Sequence, residues 1–413
     1  MKQIKRFIKN EISIGLLVLL WLSQIIPDYP FWAISCLLIG LDIIYQKGFV
    51  RIVKMPGEVF FWILFCIGLF NGIALNNQLG IWFIVRDAIR MLYIPTYWAL
   101  SCIICRHEKY NIRVYYKTFY LFAGTYSLYK LIIKLSTLSL NLNSQNLFRT
   151  FSTSGMIDEY IIAIAMFISY FKPDCIHGSY ISKKVDRLLT AIITTAFVLC
   201  FSRTSIMIFG MLTLFLGIKN AKSMLRIVTF GLFAIILVIM FMPGMVSTFL
   251  NKIEYTGTEV LSSRKYWDNT SIVQGWRGYE VYCAKELFDT FSFIEKIFGT
   301  GFGTSVDVHG YAYLVTSEDR LPYLHNGYFT SLLKLGVFGI VLTICMFVAL
   351  WLCFLRPKAK SHYSIEMSRI LVISLSVTML FIHGIFWGQA SLIIFLPIAW
   401  SFILNKTQRS YIY

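Results

Sequence analysis

The sequence predicts an all-α integral membrane protein of about 12 transmembrane helices, with one large external loop between the ninth and tenth. Three observations carry that expectation. The chain of 413 residues is 57% hydrophobic and only 14% charged, which a soluble globular protein does not tolerate. Its apolar stretches recur at lengths near the roughly 20 residues that a helix needs to cross the hydrocarbon. No alternating barrel pattern accompanies them, and an open strand in lipid would leave backbone groups unpaired.

Taken in order, Lys2, Lys5, Arg6 and Lys9 precede an apolar run that ends at Pro27. A secretory signal starts in the same way, but no small-x-small cleavage site follows, so the run reads as the first span. Further spans fall near 30–46, 58–75, 81–104, 114–136, 156–171, 188–202, 204–218, 227–245, 327–355, 369–386 and 388–404. The organisation expected is therefore spans 1–9 over residues 1–245, an external loop over 246–326 and spans 10–12 over 327–413. A search for matching halves, the mark of many transporters, finds none.

Charge orients the bundle. Lys47, Arg51 and Lys54 share one set of alternate connections with Arg106, Lys109 and Arg113, and with Lys172, Lys183, Lys184 and Arg187. The same set holds Lys219, Lys222 and Arg226, then Arg356, Lys358, Lys360 and Arg369, and both termini belong with it. The short connections near Pro27–Pro30 and Asn76–Gly80 carry no basic residue. The positive-inside rule then places both termini in the cytoplasm and residues 246–326 outside. Trp21, Trp32, Trp82, Trp351 and Trp387 stand near span ends, as interfacial anchors do. The net charge of +17 is thereby explained by basic cytoplasmic loops, and no nucleic-acid partner is expected. Of nine cysteines only Cys283 falls in the external loop, which rules out a disulfide framework there. Cys102 and Cys105, a C-x-x-C in the fourth span, read as apolar filler.

The polar interval holds most residues able to carry chemistry. Arg277 opens an amphipathic stretch in which Trp276, Tyr279, Cys283, Leu287, Phe291, Ile294 and Phe298 recur at helical spacing. Its guanidinium either snorkels at the membrane surface or grips a phosphate with two parallel donors. The run Gly299-Thr300-Gly301-Phe302-Gly303 lacks the strand and helix of a nucleotide fingerprint and reads as a turn after that helix. His325 stands where the loop meets a long apolar span, and Asn326 is placed to cap it. A helix end with free N–H groups would suit an anionic phosphate. Arg203 sits between two spans almost without a loop, as an interfacial anchor or a ligand for charge. Arg86, Asp87 and Arg90 within the fourth span form either a local ion network or part of a substrate groove. Arg149, in a second external segment over 136–155, and Arg264 are further candidates for substrate binding. Asp158 and Glu159 suit the start of the sixth span, and His383 reads as a packed, hydrogen-bonded residue. No metal and no cofactor are expected, because His309, Asp307, Glu318 and Asp319 lack a recognisable ligand spacing.

Between residues 190 and 345 an ordered set of pieces resembles a known family. Phe201-Ser202-Arg203-Thr204, Arg277 with its helix, Gly299–Gly303, and His325-Asn326-Gly327-Tyr328-Phe329 with Leu335–Gly339 are similar to the O-antigen polymerase and O-antigen ligase superfamily of bacterial multi-span glycosyltransferases. The resemblance implies a metal-independent, glycosyltransferase C-like enzyme of the bacterial inner membrane. Its donor would be an oligosaccharide on undecaprenyl pyrophosphate, with membrane lipids around it and a chain-length regulator as a further partner. On that resemblance Arg203 and Arg277 would hold the pyrophosphate, and His325 would help activate the acceptor hydroxyl or steady the leaving group. Arg149, Arg264, Asn326, Arg86 and Arg90 would then help to bind substrate. Polymerisation of repeat units is the function expected, with transfer of glycan to lipid A core as the alternative and a lipid-linked sugar flippase as a second. The departing pyrophosphate gathers negative charge that arginines can stabilise without a metal.

Overall fold

Polar residues punctuate an apolar sequence and so set where helices begin. The computed structural model describes residues 12–46, 53–75, 80–108, 111–136, 158–171, 182–200, 202–216, 229, 266–314, 320–355, 362–383 and 388–410. Ser13 caps α1 (Ile14–Ile25) through Leu16 N–H at 3.1 Å, and Pro27 then separates it from α2 (Asp28–Tyr45). α3 (Glu58–Leu75), α4 (Ile81–His107) and α5 (Ile112–Ser136) follow. Asp158 caps α6 (Glu159–Phe171) by accepting from Tyr160 and Ile161 N–H, as the acids at that point in the sequence lead one to expect. α7 (Lys183–Cys200) and α8 (Arg203–Leu216) come next. After the loop, α12 (Gly327–Leu352), α13 (His362–Thr378) and α14 (Gly388–Ser410) close the chain.

Among the described residues α2, α3, α4 and α12 are long and apolar enough to cross a membrane, and the protein is an all-α membrane protein. The ninth apolar run, near 227–245, lies outside the described residues apart from residue 229, as do Arg149 and Arg264. The core is dense in aromatic side chains: Tyr115, Phe119, Phe122 and Trp400 are fully buried where α5 and α14 meet. At the opposite end from the site described below, Arg106 and His107 at the end of α4 pair with Asp42 near the end of α2.

The loop folds into α9 (Asn269–Gln274), α10 (Trp276–Asp289), α11 (Phe293–Phe298) and a two-stranded antiparallel sheet. In that sheet β1 (Val306–Asp307) faces β2 (Arg320–Leu321), with Val306 opposite Leu321. This corrects the single amphipathic helix expected over 277–298. Helix α10 stops at Thr290, and Ser292 starts α11 through a reciprocal capping box with Glu295. The periodic face divides accordingly. Tyr279, Cys283 and Phe291 are buried in a small core with Val306 and Val308, whereas Ile294 and Phe298 are exposed.

The glycine run follows α11 as a turn, as the sequence suggests, and that turn is buried. It is a wedge between α3 and a break in α12. Gly336 has φ 70° inside α12, so the helix is interrupted there. The interruption frees the Leu333 and Lys334 carbonyls, which accept from Thr300 N–H at 3.0 Å and Gly301 N–H at 2.9 Å. On the other side Phe302 N–H donates to Gly68 O at 2.7 Å, and the Asn71 amide donates to Phe298 O and Gly299 O. Only glycine fits at Gly301: its φ is +85°, and a Cβ there would overlap the Gly72 backbone. Gly301→Ala is therefore expected to lower the melting temperature in detergent by several degrees, since positive φ alone costs about 1–2 kcal/mol before the clash. Gly40→Ala, where added carbon meets nothing within 4 Å, is the control. Equal melting of the two variants would remove the wedge from the account of stability.

Candidate active site

One end of the bundle collects charge from sequence-distant helices. At its centre is Asp87, 2% exposed, in the second turn of α4. Its carboxylate accepts from the Lys334 ammonium of α12, from the Tyr323 hydroxyl and from Gly303 N–H at 2.7 Å. Lys334 also donates to Thr304 O at 2.7 Å. Two ions at this depth are tolerated because each has several partners. Arg86 lies 3.7 Å from Asp87 and over the Phe83 ring at 4.8 Å, while Arg90 covers the Tyr323 ring at 4.0 Å and reaches the Tyr29 hydroxyl at 3.4 Å. The local ion network read for Arg86, Asp87 and Arg90 thus extends much further than one helix. Arg86 is buried within it, whereas Arg90 lies at its edge.

His325 is held one step from this hub. Its backbone N–H donates to Glu280 Oε2 at 3.0 Å, and its Nδ1 lies 2.9 Å and 3.0 Å from the two carboxylate oxygens. Glu280, 1% exposed, accepts from the Trp276 indole at 2.5 Å as well. A carboxylate only accepts, so Nδ1 carries hydrogen and Nε2 is left as the basic nitrogen. The His383 ring stacks on His325 at 5.1 Å and is itself fixed by Nδ1 donating to Leu324 O at 2.6 Å. The His325 side chain keeps 26% of its surface open, enough to meet a substrate.

Arginines approach from two more elements. Arg277, in the first turn of α10, acts electrostatically on the Glu159 carboxyl at the start of α6, as does His325. Both Arg277 and Arg90 act on His383 in the same way. Arg203 begins α8, whose Met211 meets Ser374 near the end of α13. The alternating directions of α6, α7 and α8 put Arg203 at the end where α6 starts, about 12 Å along the axis from Met211. Arg203, Arg277 and His325 therefore share one end of the bundle.

Asn326 caps α12 as expected, accepting from Tyr328 N–H at 3.1 Å and Phe329 N–H at 3.2 Å. The free helix N-terminus expected for phosphate is absent, however. Gly327 N–H donates to Met379 O at 2.8 Å and Thr330 N–H to Asn326 O, so the first-turn donors are spent inside the protein. That leaves side-chain cations, not the helix end, as the groups able to meet an anion here.

Sequence reading passed over Glu280, Lys334 and Tyr323. Lys334 did leave a signal, since a lysine inside an apolar span is costly unless paired. It also missed one cluster of candidate metal ligands in the loop, because Cys283, Glu286 and His309 lie apart in sequence while their ligand atoms lie within 4.8 Å of one another.

No curated protein matches the chain. Residues 188–344 match the family described as O-Antigen ligase, an interval that includes Arg203, Arg277, Glu280, the glycine wedge, His325 and Lys334. Over that interval the chain is similar to the O-antigen ligase family, within an all-α membrane architecture that gathers those residues at one end.

Proposed function

We propose that the chain polymerises lipid-linked oligosaccharide repeat units on the outer face of the bacterial inner membrane. The observation that carries this reading is His325, oriented by the buried Glu280 carboxylate with Arg277 nearby at an end of the bundle. The reading includes a bundle of about 12 spans, cytoplasmic termini and an external loop over 246–326. The donor glycan is carried on undecaprenyl pyrophosphate. An acceptor hydroxyl gives its proton to His325 Nε2 as its oxygen bonds to the anomeric carbon. The bond from that carbon to the pyrophosphate oxygen breaks, and the lipid pyrophosphate leaves with the electron pair. Arg277, Arg203 and Arg90 stabilise the charge that develops there. Arg86, buried with its Nε 3.7 Å from the Asp87 carboxylate, supports that carboxylate in this reading.

Arg277→Ala is expected to slow transfer about 10²-fold in a reconstituted assay with lipid-linked repeat units as donor and acceptor. Undiminished polymer would remove Arg277 from the site. The matched family's description favours one rival, transfer of finished glycan to lipid A core. Deleting the gene separates the two: lipopolysaccharide bearing one repeat unit supports polymerase, while lipid-linked polymer with none attached supports ligase.

A further inference from the structure

The loop carries a cluster that the transfer reaction does not use. Cys283 and Glu286 stand three residues apart on α10 and so share one face. His309 reaches them from the segment after β1, with Nε2 3.2 Å from Glu286 Oε2. His309 is the one non-glycine residue with positive φ, at 50°, among the described residues. That strained conformation is held by its own N–H donating to Asp307 Oδ1 at 2.8 Å, and it turns the imidazole toward the helix. Ligand atoms of the three residues all lie within 4.8 Å of one another.

We propose that Cys283, Glu286 and His309 bind one zinc ion that clamps α10 to the β1 segment. The donor set is one thiolate, one imidazole and one carboxylate, a combination that suits a tetrahedral zinc with water as fourth ligand. Tetrahedral bonds of about 2.0–2.3 Å set ligand atoms roughly 3.5 Å apart, so the exposed Glu286 and His309 side chains need to close by about 1 Å. Charge balances, because Cys283 and Glu286 supply two negative charges to a dication. The thiol proton leaves to water as the sulfur–zinc bond forms. Burial pushes the free Cys283 thiol up to about 12, and the metal offsets that cost. Tyr279, whose hydroxyl lies beside Cys283, closes the inner side of the site. The clamp is structural and separate from the transfer chemistry, and it stands whether or not the polymerase reading does. It would brace the helix that presents Glu280 to His325.

The test uses the full-length protein in detergent, stripped by a chelator, desalted and titrated with zinc alone. One zinc per chain is expected, with a melting temperature several degrees above the stripped protein. His309→Ala and Glu286→Gln alter exposed residues, so they are expected to fold and to weaken zinc binding by at least about tenfold. Cys283→Ser should do the same, and Cys102→Ser with Cys105→Ser should keep the metal. The proposal is overturned if the protein retains no stoichiometric zinc, if the His309 and Glu286 variants bind it as tightly as the parent, or if the Cys102/Cys105 variant is the one that loses it.

Discussion

His325→Ala is expected to reduce glycan transfer by about 10²–10⁴-fold, the range for removing a positioned general base. The expectation rests on a side chain whose orientation is over-determined. Glu280 holds both its backbone N–H and its Nδ1, Trp276 fixes Glu280, and the His383 ring lies against the imidazole face. Glu280→Gln keeps the size but removes a pure acceptor, so Nε2 loses its assured role as base. A fall of about 10–100-fold is expected there, by analogy with partners that orient metal-bound histidines. It should appear in kcat while KM for the lipid-linked donor stays near that of the parent, whereas a merely structural lesion would reduce the folded fraction and leave the kcat of folded protein alone. Full transfer by His325→Ala would sink its assignment as base.

Asp87→Asn is expected to be the most destabilising conservative change in the described chain, costing about 3–5 kcal/mol. The substitution leaves the Lys334 ammonium, 2% exposed, without its counter-ion in the bundle. It also weakens the acceptor for Tyr323 and Gly303 N–H, so α4, α12 and the loop lose a shared anchor. Thermal melting in detergent, or yield from the membrane, would register this. Adding Lys334→Met should restore part of the loss, because removing both ions costs far less than stranding one. A double variant less stable than Asp87→Asn alone would mean that Lys334 serves another partner.

The sequence made helices and their ends legible wherever a local signal existed. Asp158 and Asn326 cap the helices that their positions suggest, because capping depends on neighbours three residues away. The candidate site was legible where an unusual residue stands at the edge of a span, as Arg203 and His325 do. What stayed hidden depends on distant partners. Glu280 looks like any acid on a helix until His325 arrives from 45 residues downstream. Lys334 needs Asp87 from another helix, and the cluster at Cys283, Glu286 and His309 needs the loop to return on itself. Periodicity also overran its range. The apolar spacing through Phe298 continues across Thr290, where the backbone turns, because no periodic count registers a capping box at Ser292.

The glycine wedge has a consequence for how the protein comes into being. Gly68 and Gly72 of α3 enter the membrane early in synthesis, yet the glycine segment that seats on them comes much later, and its other wall, at Leu333–Gly336, later still. Until translation has passed that point, α3 exposes to lipid or to neighbouring chains a notch at Gly68 and Gly72 that no side chain of its own can fill. Completion of the bundle is thus a post-insertion event, in which the glycine segment is drawn between the membrane helices rather than resting on them. Fragments that stop before Leu333 should persist as inserted but open bundles, recognisable by quality-control proteases that sense an unfilled helix face.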